Sequence, residues 1–141
     1  MIELINRQRH RKLNSQEWRD FAEQALRAID STKQSVTIVF VSDAAIEKLN
    51  KQFRAKNYAT DVLSFPIKAE DFETDYQSHL GEVVISVERA AAQAKENGLT
   101  FSNEVEQLIL HGLLHLSGYD HETDHGEMNR LELRLRKKLG I

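Results

Sequence analysis

Residues 111–121 read His-Gly-Leu-Leu-His-Leu-Ser-Gly-Tyr-Asp-His, and this stretch organises the rest of the chain. The sequence leading into it, from Val105 to Leu116, places apolar side chains at helical spacing on two faces and leaves one polar strip. His111 and His115 are four residues apart on that strip, so one helical turn brings their imidazoles together. Gly118 suits the positive φ that ends a helix, and the turn after it can bring a third histidine to the same point.

These histidines predict a metal site. Burying three neutral imidazoles without a shared partner costs free energy, and a divalent cation is a partner that they can share. Catalytic zinc usually has three protein ligands and an open fourth position, whereas structural zinc is closed by four ligands. The alternative is that one or two of the histidines only form hydrogen bonds in the core. We predict one Zn²⁺ per chain, held by His111, His115 and His121 with a water in the fourth position.

The spacing His-x3-His-x2-Gly-x2-His matches the zinc-binding pattern of metzincin proteases with one omission. Those enzymes have a glutamate directly after the first histidine, where it serves as the base that activates the zinc-bound water. In this chain the position is Gly112, which can neither accept nor deliver a proton. The pattern therefore favours a metal site that hydrolyses something other than a peptide. Met128 invites comparison with the methionine turn of metzincins, but its helical spacing indicates a core residue.

Composition limits the class of protein. The chain has 141 residues, of which 40% are hydrophobic and 29% charged, which is typical of one soluble globular domain. The absence of cysteine excludes disulfides and thiolate metal ligands within this sequence. The start lacks a signal peptide and no segment has the length of a membrane span, so we expect a cytoplasmic protein without a membrane partner. The net charge of −3 requires any nucleic-acid surface to be a local basic patch. For the basic cluster Arg7–Lys12, we slightly favour a solvated loop over a role in binding.

The hydrophobic patterning predicts four strands and five helices in the order βαβα-ββ-ααα. The strands are expected at 2–8, 36–41, 62–66 and 80–86. The helices are expected behind Ser15, behind Ser42-Asp43, at 87–97 before Gly98, behind Thr100 or Ser102, and from Met128 to Leu139. Pro66 ends the third strand and indicates a sheet edge or a strand terminus, while residues 70–77 are expected to form an acidic surface loop. We predict a single α+β domain over residues 1–141, with a small mixed sheet packed with helices and the metal site on a central buried helix.

Phosphodiester cleavage also needs positive charge facing the developing negative charge. Arg54 is our candidate, because it lies in a turn-prone segment between Lys51 and Lys56. The alternative is a solvated surface arginine. His125 lies four residues after His121 but is expected to be exposed at the start of the last helix, and His10 and His79 are interpreted as unrelated to the metal.

Three motifs resemble those of the YbeY-type bacterial rRNA maturation factors. They are Thr-Asp-Val-Leu-Ser-Phe-Pro at 60–66, Leu-Gly-Glu-Val-Val-Ile-Ser at 80–86, and the histidine motif at 111–121. They occur in the family's order, and the resemblance extends from about Leu49 to the end of the chain. By position, His111, His115 and His121 match the family's zinc ligands, and Arg54 matches its functional arginine. Ala55 and Ala59 stand where the family often has glycine and proline.

The resemblance implies a metal-dependent endoribonuclease that acts on single-stranded RNA in small-subunit rRNA processing and ribosome assembly. It implies rRNA and the ribosome or ribosomal proteins as partners, and DNA is not expected. Two alternatives remain open. The first is a metal-dependent hydrolase of another substrate, with a peptide the least favoured. The second is an assembly factor that binds RNA and ribosomal protein without catalysis, in which the metal only stabilises the fold.

Overall fold

The computed structural model describes residues 1–14, 16–29, 35–54, 60–66, 79–120 and 124–141. The strands are β1 (Ile2–Asn6), β2 (Ser35–Val41), β3 (Val62–Pro66) and β4 (His79–Ser86). The helices are α1 (Glu17–Ala28), α2 (Asp43–Arg54), α3 (Val87–Asn97), α4 (Phe101–Leu116) and α5 (Glu127–Leu139). The predicted order of elements is confirmed. No helix within these ranges has the length and apolar character needed to cross a bilayer.

The four strands form one mixed sheet in the order β1-β2-β4-β3. β2 runs parallel to both β1 and β4, whereas β3 pairs antiparallel with β4 at the edge of the sheet. Pro66 therefore ends an edge strand, where its missing N–H breaks no interior ladder. The predicted α+β fold with a small mixed sheet is confirmed.

Helices cover both faces of this sheet. Alternate residues of β2 point in opposite directions, so Ile38 and Phe40 enter the main core while Val39 and Val41 enter a smaller one. The main core joins the sheet to α1, α3, α4 and α5, and the smaller core joins it to α2. Leu110 and Leu114 are both 0% exposed, which confirms that α4 is buried on more than one side.

Capping agrees with the sequence prediction at three helix ends. The Ser42 hydroxyl accepts a hydrogen bond from the Ala45 N–H at 3.2 Å, and the Thr100 hydroxyl accepts one from the Asn103 N–H at 3.1 Å. Gly98 ends α3 with φ of 67°, as its glycine predicts. The predicted cap Ser15 and the acidic loop at 70–77 lie outside the described residues.

Candidate metal centre

Helix α4 places the two central histidines side by side. The Nε2 atoms of His111 and His115 are 3.1 Å apart, and their rings meet edge to face with centroids 4.7 Å apart. Two nitrogen ligands in a tetrahedral zinc site with bonds of about 2.0–2.1 Å lie about 3.3 Å from each other. The separation fits two ligands of one ion, although two rings at this distance can also share a hydrogen bond.

Glu132 of α5 contacts the other ring nitrogen of His111. Its Oε1 lies 2.7 Å from His111 Nδ1, and Glu132 is only 6% exposed. Burial alone would raise the pKa of Glu132, but the hydrogen bond and charge of His111, together with Arg136, outweigh it and lower that pKa. An ionised carboxylate accepts the Nδ1 proton and leaves the lone pair on His111 Nε2, the atom that faces His115. This is the arrangement by which outer carboxylates orient histidine metal ligands.

Arg136 of α5 contacts the other oxygen of Glu132, so the three side chains of His111, Glu132 and Arg136 are linked. Its Nη2 lies 2.5 Å from Glu132 Oε2, one helical turn away on α5. A buried carboxylate without a cationic partner is costly, so Arg136 supports the charge that Glu132 needs in order to hold the imidazole. Arg136 was not among the site residues that the sequence predicted.

Gly112, the position of the missing peptidase base, faces the sheet. A Cβ at Gly112 would lie 2.7 Å from Val83 Cγ1 and 3.3 Å from Ser64 Oγ. The Ser64 hydroxyl also donates a hydrogen bond to the Gly112 carbonyl at 3.3 Å. The glycine thus lets α4 approach β3 and β4 closely, and a glutamate at this position would meet β4 rather than the His111–His115 pair.

The structure describes three of the other four histidines, together with Met128. His121 lies outside the described residues, and within the part of the chain that is described no three histidine or carboxylate side chains gather to form a metal site. His125 is exposed and Met128 is 1% exposed, as the sequence predicts for both. His10 Nε2 lies 3.3 Å from Glu88, and His79 Nδ1 lies 2.6 Å from the Ser35 hydroxyl.

Arg54 is exposed at the end of α2. The preceding Phe53 packs edge to face on Phe65 of β3, with centroids 5.4 Å apart. Phe65 faces the α2 side of the edge strand, whereas the neighbouring Ser64 faces α4. The end of α2 and the two histidines therefore lie on opposite faces of β3. No side-chain hydrogen bond or ion pair joins Arg54 to another residue for which a placement is described, so its role stays a prediction.

Sequence reasoning missed Glu132, but a signal was present. Glu132 lies four residues after Met128 and three before Leu135, and both neighbours belong to the core. A glutamate in the apolar stripe of a helix is rarely buried without a partner. The partner, His111, is 21 residues away in the sequence, so the spacing of the motif alone could not identify it.

Comparison with known proteins identifies the family. The family model described as Endoribonuclease YbeY matches residues 3–140. The chain belongs to the YbeY family. That match includes all three motifs, and it places His111, His115, His121 and Arg54 inside the family domain.

Individual YbeY relatives agree with this assignment. The chain is 46% identical to Endoribonuclease YbeY of Nautilia profundicola over 110 residues, covering 78% of this chain and 76% of that protein. It is 33% identical to Endoribonuclease YbeY of Geobacter metallireducens, covering 99% of this chain and 94% of that one. The solution structure of TM1509 from Thermotoga maritima is similar with a TM-score of 0.65 and 28% identity, covering 99% of this chain and 89% of that one.

Proposed function

We propose that this chain is a metal-dependent endoribonuclease that cleaves single-stranded RNA during small-subunit rRNA maturation and ribosome assembly. The observation that carries the proposal is the facing pair of Nε2 atoms, 3.1 Å apart, with His111 Nδ1 lying 2.7 Å from the carboxylate of the buried Glu132. The relatives' names supply the reaction class, since they are endoribonucleases. Residues 1–141 act as one cytoplasmic endoribonuclease domain in this proposal.

The donor set fits zinc. His111 and His115 would supply two nitrogens from α4, and His121 the third, with water in the fourth position. When bound, zinc lowers the pKa of its water and polarises a phosphoryl oxygen. Glu132 would orient the His111 ring through its contact with Nδ1, and Arg136 helps to lower the pKa of Glu132.

In this proposal Arg54 reaches around the edge strand from the other face of the sheet and binds the phosphate whose charge grows during cleavage. Its planar guanidinium can donate to two phosphate oxygens at once. It extends from an exposed helix end beside the edge strand, so an extended RNA strand crossing β3 could contact Arg54 and the histidines together. The expected partners are single-stranded rRNA and the ribosome or its proteins, rather than DNA.

The test is cleavage of labelled oligonucleotides by the wild type and by His115→Ala. The wild type should cut single-stranded RNA, but not the same strand in a duplex or its DNA analogue, and a chelator should abolish cleavage until zinc is restored. His115→Ala should be inactive while its circular dichroism shows a folded protein.

Two results would contradict the proposal. The first is equal cleavage by a folded His115→Ala protein, because the metal site would then be irrelevant to the reaction. The second is a zinc-loaded wild type that binds ribosomal RNA and cuts none, which would favour the non-catalytic assembly factor.

A further inference from the structure

Three cations, Arg130, Arg134 and Lys137, form a basic stripe on the outer face of α5. All three are exposed, and their spacing of four and then three residues places them on one side of the helix. The opposite side of α5 carries Met128 and Leu135, which are buried in the core. From Arg130 to Lys137 the stripe extends about 10 Å along the helix axis, so it can contact an extended ligand at several points.

The basic stripe has no acidic partner within ion-pair distance in the described part of the chain. The two acids of α5 itself are engaged elsewhere. Glu127 Oε2 accepts a hydrogen bond from the His125 N–H at 2.6 Å, and Glu132 is buried against His111 and Arg136. The positive charge of the stripe is therefore not offset by its own helix.

Helix stability does not account for the basic stripe. Because α5 begins at Glu127, Arg130 lies at the end of the first turn, close to the positive end of the helix dipole, where a cation gains no stabilisation. Its Nη1 donates one long hydrogen bond of 3.4 Å to the His125 carbonyl. Arg134 lies in the middle of the helix, outside the last turn in which the dipole favours cations. A role in binding accounts for both arginines.

An open depression connects the basic stripe with the histidines. It has a volume of about 340 Å³ and is lined by His111, Met128, Asn129, Glu132 and Arg136. Asn129 is exposed and directly precedes Arg130. An RNA strand held at His111 therefore has a route through this depression, across α5 at Asn129 and onto the stripe. The route is about as long as the diameter of one helix, roughly 10–12 Å.

We infer that the basic stripe binds the phosphate backbone of single-stranded RNA next to the bond that is cut. This inference rests on the proposed RNA substrate. Proteins that hold single-stranded nucleic acid commonly use a positively charged surface that follows the backbone. Because the whole chain has a net charge of −3, RNA binding requires such a local basic surface. Contacts with phosphates carry no base information, so the stripe should determine affinity and not sequence preference.

The basic cluster Arg7–Lys12 is a weaker candidate for this surface. The guanidinium carbon of Arg11 lies 4.0 Å from the centroid of the Phe101 ring, at the start of α4. Ten residues of helix, about 15 Å, separate Phe101 from His111. This cluster is therefore farther from the histidines than the stripe on α5, and it offers a matched control.

An anionic membrane is a less suitable partner for α5 than RNA. A helix that lies on a lipid surface buries its apolar face in that surface, whereas the apolar face of α5 packs in the protein core. Within α5, all of which is described, Leu133 is the one large hydrophobic residue that is exposed.

The experiment measures the affinity for a labelled single-stranded RNA of about 20 nucleotides, longer than a usual single-strand site, by fluorescence anisotropy. The full chain is kept metal-free so that it does not cut the RNA, and salt is varied from about 50 to about 200 mM. The triple variant Arg130→Gln, Arg134→Gln, Lys137→Gln should show a slope of log affinity against log salt that is smaller by about two. Each cation on a phosphate of a single strand contributes about 0.7 to that slope.

The matched control is the triple variant Arg7→Gln, Arg9→Gln, Lys12→Gln, which removes the same charge from exposed residues elsewhere and should keep the wild-type slope. Circular dichroism checks that both variants are folded. A wild-type slope in the stripe variant, or an equal loss of slope in the control, would overturn the inference.

Two further results separate the alternatives. If the stripe variant keeps its affinity for RNA but loses binding to phosphatidylserine vesicles, the stripe is a membrane surface and the inference is wrong. If the stripe variant loses slope while the zinc-loaded wild type cuts no RNA, the proposed function fails and the RNA-binding surface stands.

Discussion

At the scale of single residues, the two ring nitrogens of His111 have different partners. Nδ1 faces a buried carboxylate and Nε2 faces His115. Loss of the carboxylate's charge should weaken the metal site even though no ligand changes. We expect Glu132→Gln to lower zinc affinity by about 10- to 100-fold, the usual effect of removing such an outer partner. Competition with a chromogenic chelator measures this.

The control is Glu106→Gln, which removes one negative charge from α4 and should bind zinc as the wild type does. Because Glu132→Gln keeps the shape of the side chain, a general loss of folding can be recognised separately by thermal unfolding of the metal-free protein. Wild-type zinc affinity in Glu132→Gln would show that His111 does not depend on this contact.

Substitutions of Arg54 should lower the rate of RNA cleavage without changing zinc binding, whereas Glu132→Gln should lower zinc affinity. Arg54→Ala should leave zinc content and melting temperature nearly unchanged, because an exposed arginine contributes little to folding. RNA cleavage should fall by about 100-fold or more, as expected for a donor aimed at developing charge. Arg54→Lys should restore only part of the rate, because lysine lacks the planar fork.

Arg9→Ala and Arg11→Ala control for simple loss of positive charge. If either reduces cleavage as much as Arg54→Ala, the arginine is one part of a diffuse basic surface. Normal rRNA processing by Arg54→Ala would remove this residue from the site.

The raised pKa of Glu104 predicts how the stability of the fold depends on pH. Burial raises the pKa of Glu104 above 4.5, the charge of Asp61 adds to this, and Asn97 and Arg136 act in the opposite direction. An acid whose pKa is raised by folding stabilises the fold when protonated, and this stabilisation is lost as the pH rises through the folded pKa. Glu104→Gln should therefore unfold at a higher temperature than the wild type at pH 7.

The difference between the two proteins should shrink on acidification and vanish below pH 4.5, the ordinary value for a glutamate. Thermal unfolding with a chelator present measures it without a contribution from metal. A wild type that is the more stable of the two at pH 7 would mean that the ionised carboxylate is satisfied in the fold.

The sequence predicted which histidines lie together, but it did not predict which residues contact them. His111 and His115 could be placed together because helical periodicity fixes which residues share a face. Glu132 and Arg136 were not assigned to the site, since their roles depend on how α5 packs against α4. Such contacts between distant parts of the chain leave no fixed spacing in the sequence.

At the scale of elements, the closeness of α4 to the sheet depends on Gly112. Gly112→Ala would place a Cβ 2.7 Å from Val83 Cγ1, and such overpacking costs about 1–3 kcal/mol. Alanine's better helix propensity returns about 1 kcal/mol, so we expect a net loss of up to about 2 kcal/mol in the free energy of unfolding. Urea denaturation measures it.

Val83→Ala tests whether the contact with Val83 causes the loss of stability in Gly112→Ala. The double variant should be less destabilised than the sum of the two single changes, because removing the valine methyls makes room for the new one. Additive losses would place the strain elsewhere.

Strands and helices were predictable in order because β-branched runs and helical periodicity are local properties. The strand order β1-β2-β4-β3 was not predicted, and neither was the position of α2 alone on one face. Pro66 was the one residue whose chemistry already pointed to the edge strand. Register and layer assignment arise from the packing of the two cores, which no single segment encodes.

At the scale of the whole molecule, α4 carries His111 and His115 between the sheet and α5, and the edge strand β3 lies between these histidines and Arg54. The family membership places the chain among the endoribonucleases, and we propose His111 and His115 as two of the residues that would hold a metal. The chain contains no cysteine, so we expect a zinc site to have only nitrogen and oxygen ligands.

The most direct measurement is a titration of metal-free protein with zinc, in which bound metal and the rate of single-stranded RNA cleavage are recorded together. Cleavage should be absent at the start, rise in proportion to bound zinc and reach its limit at about one ion per chain, as a single three-histidine site requires. His115→Ala should show neither tight binding nor cleavage over the same range. Full cleavage by the metal-free protein, or a rate that does not follow the bound zinc, would contradict the account.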